Sequence, residues 1–317
     1  MNILITEPEH YSEKALGLYR FAGTVKLGVD RDRSLKDQVE GVNVLVIRLR
    51  FRIDREVLDA ATDLQVIVTP TTGLDHLDLK ELDQKGIRIL SLKGETEFLR
   101  SIPATAELTW GLLLAVRRGI VPAASSVTNR IWERDLFRGR DLKGKVLGIV
   151  GCGRIGSIMV GYAKAFGMTV LVHDLQTIQI DGVDQVPLQE LYRRSDVVSI
   201  HLPLEEETRG FVDRAAFTEM KDGAVFLNTA RSGIVDENEM LEALKSGKLA
   251  GVGVDVISGE DAFAGKVPEK HPLLEYADTA GNLVITPHIG GASWDSMHAT
   301  EDFCAERFVD LCRDADL

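Results

Sequence analysis

The chain has 317 residues, 44% hydrophobic and 27% charged, enough to bury a sizeable core and, at about 150 residues per domain, to form two domains. This excludes a disordered chain and a disulfide-stapled miniprotein. Its 37 Lys and Arg against 49 Asp and Glu leave a formal net charge of -12, which repels a phosphate backbone and argues against a nucleic-acid partner. The longest apolar run, Trp110 to Val116, falls far short of the ~18 to 20 residues needed to cross a bilayer, so no membrane partner is expected. The opening MNILITEPEH has no basic n-region and no small-residue cleavage site, and the expected compartment is the cytoplasm.

Short β-branched runs alternate with helix-like stretches from the first residue, the pattern of parallel sheets covered by helices. Ile3 to Ile5, Thr24 to Leu27, Val44 to Ile47, Val66 to Val68 and Ile87 to Leu90 predict five strands of a first, smaller unit. Ser101 to Arg118 follows, with Pro103 suited to a first helical turn and Leu108, Leu112 and Ala115 at helical spacing, which predicts a long connecting helix. A second series of six strands is predicted at Val146 to Val150, Thr169 to Val172, Val197 to Ile200, Ala224 to Leu227, Gly251 to Val256 and Leu283 to Ile285. Six strands suit a complete doubly wound sheet. A last helical stretch, Ser293 to Cys312, is too short to be a domain and is expected to pack back on the first unit. It carries Cys304 and Cys312, which the helical rise sets ~12 Å apart, beyond disulfide reach. The reading is two doubly wound parallel-sheet α/β domains, residues 101–290 inserted in a smaller domain made of residues 1–100 and 291–317.

The strongest local signal starts where Val146 to Val150 runs into Gly151-Cys-Gly-Arg-Ile-Gly156 and then into a helical segment, Ser157 to Phe166. In that strand-turn-helix context Gly151 permits the tight turn. Gly153 lets the backbone approach a pyrophosphate at the helix N-terminus, and Gly156 lets the helix lie close on the strand. A second strand then ends at Asp174, 18 residues after Gly156. A carboxylate at this place accepts hydrogen bonds from the adenosine ribose and repels a 2′-phosphate, which predicts a Rossmann domain that binds NAD and not NADP. Cys152, inside the fingerprint, reads as a small buried side chain.

In an open parallel sheet the ligand lies beyond the carboxyl ends of the strands. Asn228-Thr-Ala-Arg231 follows one predicted strand end, Asp255 stands at the next, and Thr286-Pro-His288 follows the last. Hydride transfer at a carbon bearing oxygen needs a cation to fix an anionic substrate and an acid/base to move the hydroxyl proton. Arg231 suits the first role through its planar fork, and His288 suits the second because imidazole titrates near working pH. Glu260 is the natural carboxylate partner for His288.

These residues resemble the D-isomer-specific 2-hydroxyacid dehydrogenases, in particular their phosphoglycerate dehydrogenase-like branch. The resemblance runs from about Val44 to Ser293 and rests on the glycine fingerprint, His201-Leu-Pro-Leu204, Asn228-Thr-Ala-Arg-Ser-Gly-Ile-Val-Asp-Glu237, Gly253-Val-Asp-Val256 and Pro287-His-Ile-Gly-Gly-Ala292. It implies a flavodoxin-like substrate domain around the Rossmann domain, and an NAD-dependent enzyme interconverting a small D-2-hydroxy acid and its 2-oxo acid, with a 3-phosphoglycerate-like acid among the candidates. Arg231 would bind the substrate carboxylate, His288 would be the general acid/base, and Glu260 would hold it. Arg154, Ile155, Leu202, Thr229 and Ala230 would line the cofactor, with Asp255 at its nicotinamide end. In the smaller domain, Thr71, Thr72 and Gly73 would hold the substrate carboxylate and Arg48 would add a basic contact. A homodimer built near Ala104 to Val127 is also implied.

One departure from that family and one charge pattern stand out. The loop 261–272 is longer than usual between the Glu and the His, and could reshape the pocket rim or a subunit contact. Arg48, Arg50 and Arg52 alternate on an extended segment and could form a cationic wall for a phosphate or a second carboxylate. A protein that senses NADH on a dehydrogenase fold is the competing reading. The intact Arg231, Glu260 and His288 argue against it, since a sensor has no use for all three.

Overall fold

The computed structural model describes residues 1–30, 32–263 and 266–314, in two compact units, Met1–Ile102 with Ala292–Leu317, and Pro103–Gly291. The first unit runs β1 (Asn2–Ile5), α1 (Glu13–Ala22), β2 (Thr24–Leu27), β3 (Val44–Val46), α2 (Arg55–Ala60), β4 (Val66–Thr69), α3 (Leu79–Gln84), β5 (Arg88–Ser91) and α4 (Thr96–Leu99). The second begins with α5 (Ala104–Arg118) and α6 (Ile120–Thr128), then β6 (Val146–Val150), α7 (Arg154–Ala165), β7 (Thr169–His173), β8 (Asp184–Gln185), α8 (Leu188–Arg194) and β9 (Val197–Ile200). It continues with α9 (Arg214–Glu219), β10 (Ala224–Asn228), α10 (Glu237–Lys245), β11 (Leu249–Val254), α11 (Pro272–Ala277) and β12 (Leu283–Ile285). The chain then returns to the first unit with α12 (Trp294–Asp314).

Both sheets are parallel throughout, in the order β2-β1-β3-β4-β5 and β12-β11-β10-β9-β6-β7-β8. Their inner strands are buried from end to end, as in Val66–Thr69 and Val197–Ile200, because helices cover both faces of a parallel sheet. Each sheet therefore separates two apolar cores. In the first unit one core joins Tyr19 of α1 with Cys304 and Phe308 of α12, and the other joins Leu58 of α2 with Leu82 of α3. In the second unit Leu112 and Leu113 of α5 pack with Met159 of α7 on one face, while Leu191 of α8, Phe217 of α9 and Leu244 of α10 fill the other. Asp54, Asp78, Asp213 and Asp236 cap α2, α3, α9 and α10 by accepting orphan backbone N–H groups.

The second sheet has seven strands, one more than the six expected. The addition, β8, is only Asp184–Gln185, both exposed on the sheet edge, and so carries none of the apolar signal by which a strand is read. The strand expected at Gly251 to Val256 is set back to Leu249–Val254, and this places Asp255 just past the strand end. The cysteines are free and Cys152 is buried. No helix among the described residues is long and apolar enough to cross a membrane.

Candidate active site

The glycine fingerprint sits where the second sheet reverses direction, between β6 and β9, with α7 beginning at Arg154. Gly151 has φ +87°, and a Cβ there would meet the His201 carbonyl oxygen at 2.7 Å, so only glycine makes this turn without strain. A Cβ on Gly156 would come 2.4 Å from the Gly151 carbonyl oxygen, which lets α7 start directly over the turn. Gly153 is different: a Cβ there would meet nothing within 4 Å. That opening faces the start of a twelve-residue helix, and a dinucleotide pyrophosphate fits there against backbone N–H groups. Asp174, just past β7, anchors to the same turn, its Oδ2 accepting the Cys152 N–H at 2.7 Å and its Oδ1 the Gln176 N–H at 2.8 Å. The carboxylate is thereby fixed with lone pairs left for ribose hydroxyls. Burial pulls the Arg154 guanidinium below its ordinary range and pushes the Cys152 thiol up, so the thiol stays protonated and unreactive. Ile155 and Leu202 are half-buried beside the turn, and the Leu202 side chain lies 2.9 Å from where a Gly151 Cβ would stand.

The acid/base candidates come from three neighbouring strands, β10, β11 and β12. Past β10, the Asn228 side chain binds the backbone on both sides of the bend, donating to the Arg231 carbonyl oxygen at 2.9 Å and accepting the Ala230 N–H at 3.0 Å. Arg231 then opens a short 3-10 turn, and its Nη1 donates to the Ala230 carbonyl oxygen at 2.8 Å. Thr229 is held from below by a 2.6 Å hydroxyl contact with Thr109 of α5, both buried.

Past β11 and β12 the loops are sewn together by Asp255, which is 1% exposed. Its Oδ1 accepts the Thr286 hydroxyl at 2.6 Å and the Ile289 N–H at 2.9 Å, and its Oδ2 accepts the Gly290 N–H at 2.6 Å. Burial pushes this carboxyl above its ordinary range, and the three hydrogen bonds pull against that shift. The loop so clamped carries His288 in the left-handed region, at φ 52°, with its N–H donated to the Asp255 carbonyl oxygen at 2.8 Å. Strained backbone of this kind persists only where its surroundings enforce it. A Cβ on Gly290 would press on Asp255 Oδ2 at 2.9 Å, so glycine is required there too.

His288 Nδ1 lies 2.8 Å from Glu260 Oε1. Glu260 Oε2 meanwhile accepts the Ile257 N–H at 3.2 Å, and Glu237 accepts the N–H of Ser258 at 2.7 Å. Glu260 is thus held by the Ile257 N–H as it meets the imidazole, on a turn that Glu237 ties at Ser258. With Nδ1–H committed to the carboxylate, Nε2 is the nitrogen left for proton exchange with a bound molecule. His201, by contrast, is pushed down to about 4 by burial and meets Ser199 Oγ at 2.9 Å through Nε2, so it is a neutral structural histidine. Of the loop 261–272, Ala264 and Gly265 lie outside the described residues. Among the described residues no group of His, Cys, Asp and Glu could hold a metal ion.

In the first unit, Thr71 follows β4 and is fixed by its own turn, its hydroxyl 2.9 Å from both Thr69 Oγ1 and the Gly73 carbonyl oxygen, with Thr72 exposed between them. Arg48 follows β3 and makes an ion pair with Glu301 of α12. Sequence reasoning singled out the strand-end residues but not what supports them: Thr109 and Glu301 lie in no motif, Thr286 and Glu237 lie in motifs without a role of their own, and each meets a partner distant in the chain.

A sequence model of the D-isomer specific 2-hydroxyacid dehydrogenase NAD-binding domain matches residues 110–290. The chain is 32% identical to a D-3-phosphoglycerate dehydrogenase of Methanocaldococcus jannaschii over 99% of its own length, and spans 58% of that relative. It is 35% identical to a hydroxypyruvate reductase of Thermotoga maritima over 85% of the chain and 84% of the relative. Among solved structures it is similar to a D-lactate dehydrogenase of Aquifex aeolicus complexed with NAD and lactic acid, with 27% identity, 99% and 96% of the two chains covered and a TM-score of 0.81.

Proposed function

The chain belongs to the D-isomer-specific 2-hydroxyacid dehydrogenase family, and from this premise we propose that it is an NAD-dependent oxidoreductase interconverting a small D-2-hydroxy acid and its 2-oxo acid. The observation that carries the proposal is the 2.8 Å pairing of His288 Nδ1 with Glu260 at the strand ends where the Arg231 loop also emerges. The Arg231 guanidinium binds the substrate carboxylate and polarises the C2 oxygen. In oxidation His288 Nε2 takes the C2 hydroxyl proton, and in reduction it returns one to the forming alkoxide. Glu260 keeps the ring in the tautomer and orientation this requires, and stabilises the imidazolium that forms. NAD, when bound, accepts the C2 hydride, and as NADH supplies it. Gly151, Gly153 and Gly156 shape its pyrophosphate turn, Asp174 takes the ribose hydroxyls, and Arg154, Ile155, Leu202, Thr229 and Ala230 border it. Asp255 acts on this site through the loop that bears His288.

The test is loss of NADH absorbance with glyoxylate, hydroxypyruvate, phosphohydroxypyruvate, pyruvate and 2-oxoglutarate, with NADPH as control. Turnover with NADH that is lost in His288→Ala, while NADH still binds, is the expected result. NADH binding with no turnover of any of them would favour a sensor instead.

The same reading includes a homodimer. Helix α6 buries none of its residues against the described chain. With the segment after it, the helix exposes Ile120, Val121, Val127, Ile131, Trp132 and Leu136, Trp132 to 86%. An apolar surface of this kind calls for a cover, and a second copy of the same helix supplies one.

A further inference from the structure

The acid/base pair stands on loops that follow three strands, and Asp255 ties only two of them, those after β11 and β12. The loop after β10, which carries Arg231, is tied to the loop after β11 by Glu237. Glu237 is the first residue of α10, a place where an acid commonly serves only to answer the helix N-terminus. Its neighbours already fill that role. Asp236 Oδ1 accepts the Asn238 N–H at 3.1 Å and the Glu239 N–H at 3.2 Å, and Glu239 puts a further negative charge in the first turn. The Glu237 side chain instead leaves its own helix, and its Oε1 accepts the Ser258 N–H at 2.7 Å across 21 positions. Ser258 stands just before Glu260, on the turn where Glu260 Oε2 accepts the Ile257 N–H at 3.2 Å and Oε1 meets His288 Nδ1 at 2.8 Å. Burial pushes the Glu237 carboxyl above its ordinary range, the Ser258 hydrogen bonds and the charge of His271 pull against that shift, and the charge of Glu260 adds to it. Glu237 is therefore within electrostatic reach of Glu260 and also of His271, near the end of the loop 261–272. Ser258 is exposed, so without Glu237 its N–H turns to water at little cost in stability. What the bond supplies is placement.

Resting on the dehydrogenase reading above, we propose that Glu237 is a positioning residue for the reaction: by holding the Ser258 N–H it fixes the turn that carries Glu260, and so keeps the Glu260–His288 pair in register with the Arg231 loop. It touches neither substrate nor cofactor and acts through Glu260. When the tie is cut, Glu260 is left with the Ile257 N–H as its backbone anchor, and its carboxylate gains freedom to turn away from Nδ1. The imidazole is then less well oriented and its charged form less well stabilised, which lowers turnover and leaves cofactor binding at the Gly151 turn alone.

The experiment measures kcat and KM with NADH and hydroxypyruvate, or glyoxylate where hydroxypyruvate is not turned over. It compares wild type, Glu237→Ala, Glu237→Gln, Glu260→Gln and the double variant Glu237→Ala/Glu260→Gln. Glu237→Ala is expected to lower kcat by about 10-fold, since even partial misplacement of an acid/base pair costs rate steeply. Its KM for NADH should stay within about twofold of wild type, and its urea midpoint should be unchanged. Gln keeps an oxygen for the Ser258 N–H and should recover most of the lost rate. Because Glu237 works through Glu260, adding Glu237→Ala to Glu260→Gln should lower kcat by less than about twofold more. Should Glu237→Ala not fold, Glu237→Asp, too short to reach Ser258, takes its place with the same expectations. A kcat within about twofold of wild type in the shortened variant, a Gln variant as slow as that one, or a further loss of about 10-fold in the double variant overturns the proposal and leaves the dehydrogenase reading standing. No NADH consumption by wild type with either acid, nor with phosphohydroxypyruvate, pyruvate or 2-oxoglutarate, overturns both.

Discussion

Replacing Asp255 by alanine removes the three side-chain hydrogen bonds that clamp the His288 loop and keeps the backbone one from the His288 N–H to the residue-255 carbonyl oxygen, and the loss can be worked out group by group. The Gly290 N–H is buried with the Asp255 carboxylate as its partner, so it bears the full penalty of an unsatisfied buried donor, about 1–3 kcal/mol. The Thr286 hydroxyl is half-buried and can turn to water, and Ile289, exposed at 41%, can offer its N–H to solvent. Those two contribute little. Against this, alanine relieves the burial cost that lifts the Asp255 carboxyl above its ordinary range. The balance is a loss of about 2 kcal/mol in unfolding free energy, dominated by one N–H. The effect on turnover should be larger, because the clamp holds His288 at φ 52°, and an imidazole displaced by about 1 Å costs about 100-fold in rate. Urea unfolding gives the first quantity, and steady-state kcat with NADH gives the second. NADH affinity, which depends on the turn at Gly151, should change little. An Asp255→Ala protein that keeps kcat within about threefold of wild type, well inside the loss expected of a misplaced acid/base, would refute the argument that this carboxylate positions His288.

Glu260→Gln should lower kcat by about 100-fold with unchanged NADH binding, since the amide cannot stabilise an imidazolium at Nδ1; equal kcat in variant and wild type would remove Glu260 from the mechanism. Asp174→Ala should narrow the preference for NADH over NADPH, read as the ratio of kcat/KM values, because the carboxylate that repels a 2′-phosphate is gone. His201, half-buried and pushed down to about 4 by desolvation against 6.5 when unfolded, binds its proton only in the unfolded chain across that interval. Its contribution is therefore full above pH 6.5 and is lost as pH falls toward 4, a difference of at most about 3 kcal/mol. Urea midpoints taken between pH 7 and pH 5 should fall more steeply in wild type than in His201→Asn. Trp132→Glu should shift the sedimentation coefficient from dimer toward monomer, and an unchanged coefficient would move the dimer contact elsewhere.

The glycine turn, Arg231, Glu260 and His288 were legible because each is local. A turn that only glycine can make, or a polar residue directly after an apolar strand, leaves its mark within a few residues. The same holds for the strands themselves, whose burial on both faces writes an unbroken β-branched run, and fails for Asp184–Gln185, which pairs at an edge with no apolar side chain to announce it. Electrostatic meaning is not local in this sense. The triplet Arg48, Arg50 and Arg52 reads along the chain as a cationic wall, and only folding brings Glu301 from 253 positions away to spend the charge of the first. Likewise Thr109 reaches Thr229 across 120 residues, and Asp255 reaches Gly290 across 35. Chemistry that depends on residue type at a strand end is therefore fixed early in the reading. Chemistry that depends on whether a charge is free or already answered is fixed only by the tertiary pairings, as the ion pair of Arg48 with Glu301 shows.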